Sequence, residues 1–192
     1  MAVSALLLID VQKAFIEQEA LGARRNNPDA EANIARLLAG FRQAGLPVVH
    51  IHHASAEPHS LFRPGHPGFA VQEFARPFKG EAVITKHVNS AFIGTTLEAD
   101  LRAAGIGRLI ICGATTNHCV ETSTRMAGNL GFEAELVRDA CWAYDRTGID
   151  GQIDRAEDIH AMTLSNLHRE FATIRRTADI LALLPSPKKS GP

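Results

Sequence analysis

The sequence predicts an α/β protein: a doubly wound, six-stranded parallel sheet held between two layers of helices. Three observations carry this. Short apolar runs rich in Val, Ile and Leu recur along the chain, the mark of strands buried on both faces. Amphipathic stretches of helical period lie between them. The two kinds alternate from end to end, which calls for a parallel sheet joined by crossover helices. The 192 residues suit one compact domain, read as residues 1–184, followed by a flexible tail at 185–192.

The elements follow in order. Residues 5–9 are a continuous apolar run, closed by Asp10, and form the first strand. Residues 29–44 form a helix: Ile34, Leu37, Leu38 and Phe41 fall at i, i+3, i+4 and i+7, and Gly45 follows as a stop. Residues 48–52 are the second strand. Residues 53–80 hold Pro58, Pro64, Pro67 and Pro77 and little periodicity. They read as a long loop, and a long loop inside a compact domain is usually functional. A short third strand covers 82–85. The helix at 95–104 places Leu97, Leu101 and Ala104 on one face, and a fourth strand covers 108–112. A helix from 118 to 130 ends at Gly131, and the fifth strand is 133–137. After an irregular stretch come a helix at 156–168, a sixth strand at 171–174 and a last helix at 177–184. The chain has no internal repeat, low-complexity tract or linker.

Composition narrows the partners. Twenty basic residues against twenty-one acidic ones give a net charge of -1, which argues against nucleic acid and against anionic membranes. No apolar run approaches the ~18 residues of a membrane helix. The first nine residues lack the basic segment of a secretory leader. Three cysteines are too few, and odd in number, for a disulfide framework, so a reducing, cytoplasmic setting is expected.

In open parallel sheets, ligands bind beyond the carboxyl ends of the strands. Asp10 follows the first strand, Lys86 the third, and Gly113-Ala114-Thr115-Thr116-Asn117-His118-Cys119 the fourth, leading into a helix. An acid, a base and a thiol thus converge on one edge if these strands are neighbours. Each has a plainer role open to it. Asp10 suits a cap, Lys86 a solvated strand end, and Cys119 a small buried hydrophobe. The position of Cys119 in the first turn of a helix favours a thiolate, because free N–H groups and the macrodipole stabilise the anion. Such sites lower a thiol pKa from ~8.5 to roughly 3.5–7.5. A nearby ammonium from Lys86 would act the same way. Cys112, inside a strand, and Cys141, beside Trp142, read as packing.

The stretch Leu109-Ile110-Ile111-Cys112-Gly113-Ala114-Thr115-Thr116-Asn117-His118-Cys119-Val120 resembles the nucleophile segment of isochorismatase-like cysteine hydrolases. Leu7-Leu8-Ile9-Asp10-Val11-Gln12 resembles their first strand, and Lys86-His87-Val88-Asn89-Ser90-Ala91-Phe92 their lysine segment. Order and spacing agree, and the resemblance spans about residues 4 to 184. It implies a doubly wound fold with a six-stranded parallel sheet and a catalytic triad of Asp10, Lys86 and Cys119. It implies an oxyanion hole from the backbone N–H groups of Thr115 and Cys119, and a cis peptide between Ala114 and Thr115. The family includes nicotinamidases, N-carbamoyl amino acid hydrolases, streptothricin hydrolase and isochorismatases. A small-molecule substrate is therefore expected, with a homo-oligomer, dimer or tetramer, as the assembly.

Phe15, Asn89, Phe92, His118 and Trp142 are candidate pocket residues. Loop hydrogen bonding for Asn89 and His118, and core packing for the aromatic residues, are the competing roles. His50, His52, His53, His59 and His66 crowd the second strand and the loop after it, which invites a metal. Nicotinamidases bind one in this region through an aspartate and histidines. Here no Asp occurs between residues 30 and 99, so no metal and no cofactor are expected, and the nicotinamidase reading weakens. Retention of the cysteine favours cleavage of a C–N bond in an amide, carbamoyl compound or lactam. The alternative is isochorismatase-type hydrolysis of a vinyl ether, and beyond it a thiol redox sensor or a non-catalytic binding domain.

Overall fold

The computed structural model describes residues 3–185. Of the tail expected at 185–192, all but Pro185 lies outside the described residues. Six parallel strands form the sheet: β1 (Val3–Ile9), β2 (Val48–His53), β3 (Ala82–Lys86), β4 (Ile106–Ala114), β5 (Glu133–Trp142) and β8 (Thr173–Arg175). They run in the order β3-β2-β1-β4-β5-β8. A separate antiparallel ribbon pairs β6 (Arg146–Thr147) with β7 (Ile153–Asp154). The helices are α1 (Ala14–Ala20), α2 (Ala30–Ala44), α3 (Leu97–Ala103), α4 (Glu121–Asn129), α5 (Ala156–Leu167) and α6 (Thr177–Leu183).

The core follows from the apolar runs. Ala5 to Ile9 are each at most 1% exposed, because β1 is central and covered on both faces. In α2, Ile34, Leu37, Leu38 and Phe41 are all buried, and Gly45 takes the left-handed conformation (φ 65°) that ends the helix. Helices α2 and α6 pack together, as do α4 and α5. Strand order reverses between β1 and β4, so right-handed crossovers send these two pairs to opposite faces. Such a reversal opens a crevice at the carboxyl ends of β1 and β4. Asp10 follows one of them and the Thr115–Cys119 turn the other.

Several expected boundaries shift. The apolar signal of the fifth strand stops at Val137, yet β5 runs on to Trp142. The β4–β5 register slips between Ile111 and Gly113, so pairing resumes with Cys141 and Trp142 beyond the polar Arg138 and Asp139. The helix expected from 118 opens instead with a wider π-type turn, Thr116–Val120, before α4. Helix α1 went without a sequence signal; seven residues present little periodicity. The sixth strand is Thr173–Arg175 rather than 171–174. His50, His52 and His53 belong to β2, where alternation sends neighbours to opposite faces and disperses the cluster.

Candidate active site

Three strand ends build the site. Asp10 leaves β1 in the left-handed region (φ 53°) and is 1% exposed. Its N–H still donates to Ile51 O at 2.9 Å, so the strand ladder holds its backbone while the side chain turns toward the crevice. Gln12, fully buried, clamps the next turn: Nε2 donates to Phe69 O (2.8 Å) and His53 O (3.1 Å), and Oε1 accepts from His53 N–H (2.8 Å). One buried amide thus fixes the end of β2 and the proline-rich loop against β1.

Gly113 lies beside Ile9 in β4 with φ 120°. A Cβ there would sit 2.1 Å from Ile9 O. Only glycine lets the strands approach this closely where the chain turns toward the thiol. The Ala114–Thr115 peptide bond is cis.

Lys86 is 0% exposed. From β3 its side chain passes the end of β2 to reach β1. The ammonium lies 2.8 Å from Asp10 Oδ2, 3.2 Å from Cys119 Sγ and 3.3 Å from His53 Nδ1. Its three donors therefore have three acceptors. Burial pulls His53 down to about 4, with the Lys86 and His87 charges adding to this, so the ring is neutral at pH 7 and Nδ1 can accept. Burial raises the Asp10 carboxyl above the usual carboxylate range against the pull of Lys86. Asp10 Oδ1 is buried with no hydrogen-bond partner among the described residues.

The thiol departs from expectation. Burial pushes Cys119 up to about 12, the Asp10 charge adds to the rise, and Lys86 opposes it. Two features oppose the stabilisation expected at a helix terminus: the first turn is a wide one, and the buried Asp10 carboxyl faces the sulfur. Burial thus favours the protonated sulfur, with the Lys86 ammonium and the Asp10 carboxyl beside it.

A cavity of about 520 Å³ opens over these groups. Asp10, Cys119, Thr115, Phe15, Asn89 and His118 line it, so six of the sequence-named residues come together. Asn89 Oδ1 lies 3.8 Å from Cys119 Sγ. Phe92 and Trp142 do not reach the cavity. Phe92 packs against Phe132, with ring centroids 5.9 Å apart. Trp142 is fully buried behind Phe15, edge-on at 5.4 Å, and its Nε1 donates to Tyr144 Oη at 3.3 Å. Eight lining residues lay outside the expected pocket, His53, Phe62, Tyr144 and Arg146 among them. His53 had a signal, the histidine density, but that pointed to a metal. Among the described residues no group of three or more His, Cys, Asp or Glu side chains is placed to hold a metal ion.

The Thr115–Cys119 turn is braced from behind. Thr116 Oγ1 and His160 Nδ1 lie 2.8 Å apart, and burial holds His160 at about 4. Thr115 Oγ1 and His118 Nδ1 are 2.9 Å apart, and Arg146 Nη1 lies 3.0 Å from His118 Nε2. Burial, with the Arg146 charge, lowers His118 as well.

Comparison with known proteins agrees with this architecture. The isochorismatase domain matches residues 4–179. The chain is 45% identical over 177 residues to the uncharacterized isochorismatase family protein YrdC of Bacillus subtilis, covering 92% of this chain and 94% of that one. It is 37% identical over 146 residues to a streptothricin hydrolase of Streptomyces noursei, covering 74% of this chain and 51% of the relative. A crystal structure of an isochorismatase-family protein from Chromobacterium violaceum superposes with a TM-score of 0.90 at 47% identity, covering 95% and 93% of the two chains. Amidohydrolases are among the further relatives.

Proposed function

The chain belongs to the isochorismatase family of hydrolases, and from that premise we propose that it cleaves a C–N bond of a small amide, carbamoyl compound or lactam through a thioester on Cys119. The observation that carries this reading is the fully buried Lys86 ammonium, bridging Asp10 at 2.8 Å and Cys119 at 3.2 Å. Two roles follow from its charge: it favours the ionised form of Asp10 against the pull of burial, and it favours the thiolate as that forms.

Asp10 takes the proton of the thiol, and the Cys119 sulfur attacks the carbonyl carbon. The oxyanion is met by the backbone N–H groups of Thr115 and Cys119. The protonated Asp10 returns its proton to the leaving nitrogen as the C–N bond breaks, and an amine or ammonia departs. Asp10, again a carboxylate, removes a proton from water; hydroxide attacks the thioester, and the sulfur leaves, regaining its proton from Asp10. Because the resting sulfur is protonated, the base must act within each turnover rather than once beforehand.

Intact-protein mass spectrometry during turnover tests this, across a panel of small amides, carbamoyl compounds and lactams. An acyl adduct is expected on the wild-type chain that decays to product, and none on Cys119→Ala. A Cys119→Ala protein with full hydrolytic activity would sink the mechanism, while turnover of a vinyl ether with no adduct would transfer the reading to isochorismatase chemistry. The proposal includes a homo-oligomer, dimer or tetramer, read by light scattering, and a reducing cytoplasmic setting, which suits three free cysteines. Among the described residues no helix is long and apolar enough to cross a membrane.

A further inference from the structure

The Lys86 side chain must be steered across the sheet before it can act. Lys86 ends β3, and His53 ends β2 as its partner in the last rung of the parallel ladder. Partners in register project to the same face of a sheet. The following residue closes the rung, with the Ala54 N–H donating to Lys86 O at 2.8 Å. The ammonium therefore passes His53 on its way to Asp10 and Cys119, and lies 3.3 Å from His53 Nδ1.

His53 is held more firmly than a strand end requires. The buried Gln12 accepts from its N–H at 2.8 Å and donates to its carbonyl at 3.1 Å. Phe62 packs edge-on against the ring, with centroids 5.9 Å apart. An ammonium can only donate, so Nδ1 accepts and the imidazole proton sits on Nε2. Among the described residues Nε2 has no hydrogen-bond partner, so no second contact draws the ring away from Lys86.

The three acceptors around Lys86 fare differently in the proposed chemistry. Asp10 gains and loses a proton, and the Cys119 sulfur becomes a thioester, a poor acceptor. His53 keeps a neutral ring throughout, since burial and the charges of Lys86 and His87 hold it at about 4. When Asp10 is protonated and the sulfur is bonded to carbon, Nδ1 is the strongest acceptor left of the three. A fully buried ammonium short of acceptors loses its proton or its place.

We propose that His53 is a positioning residue of the reaction, the constant acceptor that keeps the Lys86 charge between Asp10 and Cys119 while those two change state. The cycle it serves rests on the thioester reading, but its hold on Lys86 exists in the resting protein and can be measured without turnover.

The experiment is alkylation of Cys119 by iodoacetamide at pH 8, followed by mass spectrometry, in wild type, His53→Leu and His53→Asn. Leucine fills the space without an acceptor, whereas the asparagine Oδ1 offers one near the place of Nδ1. The rate is expected to fall roughly tenfold in His53→Leu, as the thiolate loses its cation, and to stay within about threefold of wild type in His53→Asn. His53→Ala removes the same acceptor without filling its place and is read the same way. A rate unchanged or raised in the apolar variants overturns the proposal, and so does an equal fall in His53→Asn. Urea denaturation of His53→Leu, Cys119→Ala and the double variant supplies a second readout. Each single change removes one acceptor of the same ammonium, so the double variant is expected to lose more stability than the two singles together. Additive losses would reduce His53 to packing against Phe62. A wild-type protein that hydrolyses no amide but shows this dependence on residue 53 removes the thioester reading and leaves the hold on Lys86 standing; amide turnover through Cys119 at a rate indifferent to residue 53 does the reverse.

Discussion

At Cys119 the surroundings hold the proton on sulfur. Alkylation by a neutral reagent is therefore expected to keep accelerating as pH rises past 9, tracking a thiol pushed up to about 12. A plateau near neutral pH, read by mass spectrometry, would mean that Lys86 wins over burial and that the resting group is an ion pair. Gly113 is the second residue with a sharp requirement, since a Cβ would stand 2.1 Å from Ile9 O with φ at 120°. Gly113→Ala is expected to cost more than about 3 kcal/mol, or to prevent folding, seen as a lowered denaturation midpoint. Asp10, Lys86 and Cys119 were legible in the sequence because each ends or follows an apolar run, and strand ends in parallel sheets face the ligand. Tyr144 and Arg146 were not, because their segment has no period. Phe92 and Trp142 were misplaced because an aromatic near a motif carries no mark of which way it turns.

The elements are tied by polar side chains that the hydrophobic pattern does not reveal. Glu81, ahead of β3, accepts from Arg42 Nε of α2 at 2.7 Å and from the Phe78 N–H at 2.8 Å, and lies 2.9 Å from His50 Nε2 of β2. These donors outweigh its burial and hold its carboxyl down at about 2. The folded state thus favours the ionised form. Its contribution is fully present above pH 4.5 and is lost as pH falls toward 2. Glu81→Gln is expected to lower stability by roughly 1–3 kcal/mol at neutral pH, with the gap from wild type closing in acid. Equal gaps at pH 7 and pH 3, by urea titration, would remove the argument. The six strands of the main sheet and five of the six helices were legible as existing; the β6–β7 ribbon and the ends of the elements were not. Strand β5 outran its signal because pairing past the register slip does not need apolar side chains at Arg138 and Asp139. Helix α1 was silent for the opposite reason, being held by packing of Phe15 against Phe62 rather than by any repeat of its own.

For the molecule as a whole, alternation of strand and helix gave the parallel sheet, and strand order placed the crevice. The order β3-β2-β1-β4-β5-β8 sets Asp10 and the Cys119 turn at the carboxyl ends of neighbouring strands at the reversal, while Lys86 comes from the edge strand, two places from β1. No local pattern encodes that reach, because it depends on β2 ending where a long side chain can pass it. The substrate is the least legible part, since the cavity draws on the end of β1, α1, the loops after β2 and β3, the Thr115–Cys119 turn and the ribbon, segments without a shared periodicity.

The crossing of Lys86 from the rim of the sheet has a consequence for the chain as it matures. An acyl-forming thiol that acted before the fold was complete would be a hazard to the protein and to its neighbours. Here the sulfur meets its carboxyl from one central strand and its cation from the outermost one, so under the proposed mechanism a half-assembled sheet carries an idle cysteine. Under that mechanism the chemistry waits for the finished architecture, a form of proofreading that needs no second protein.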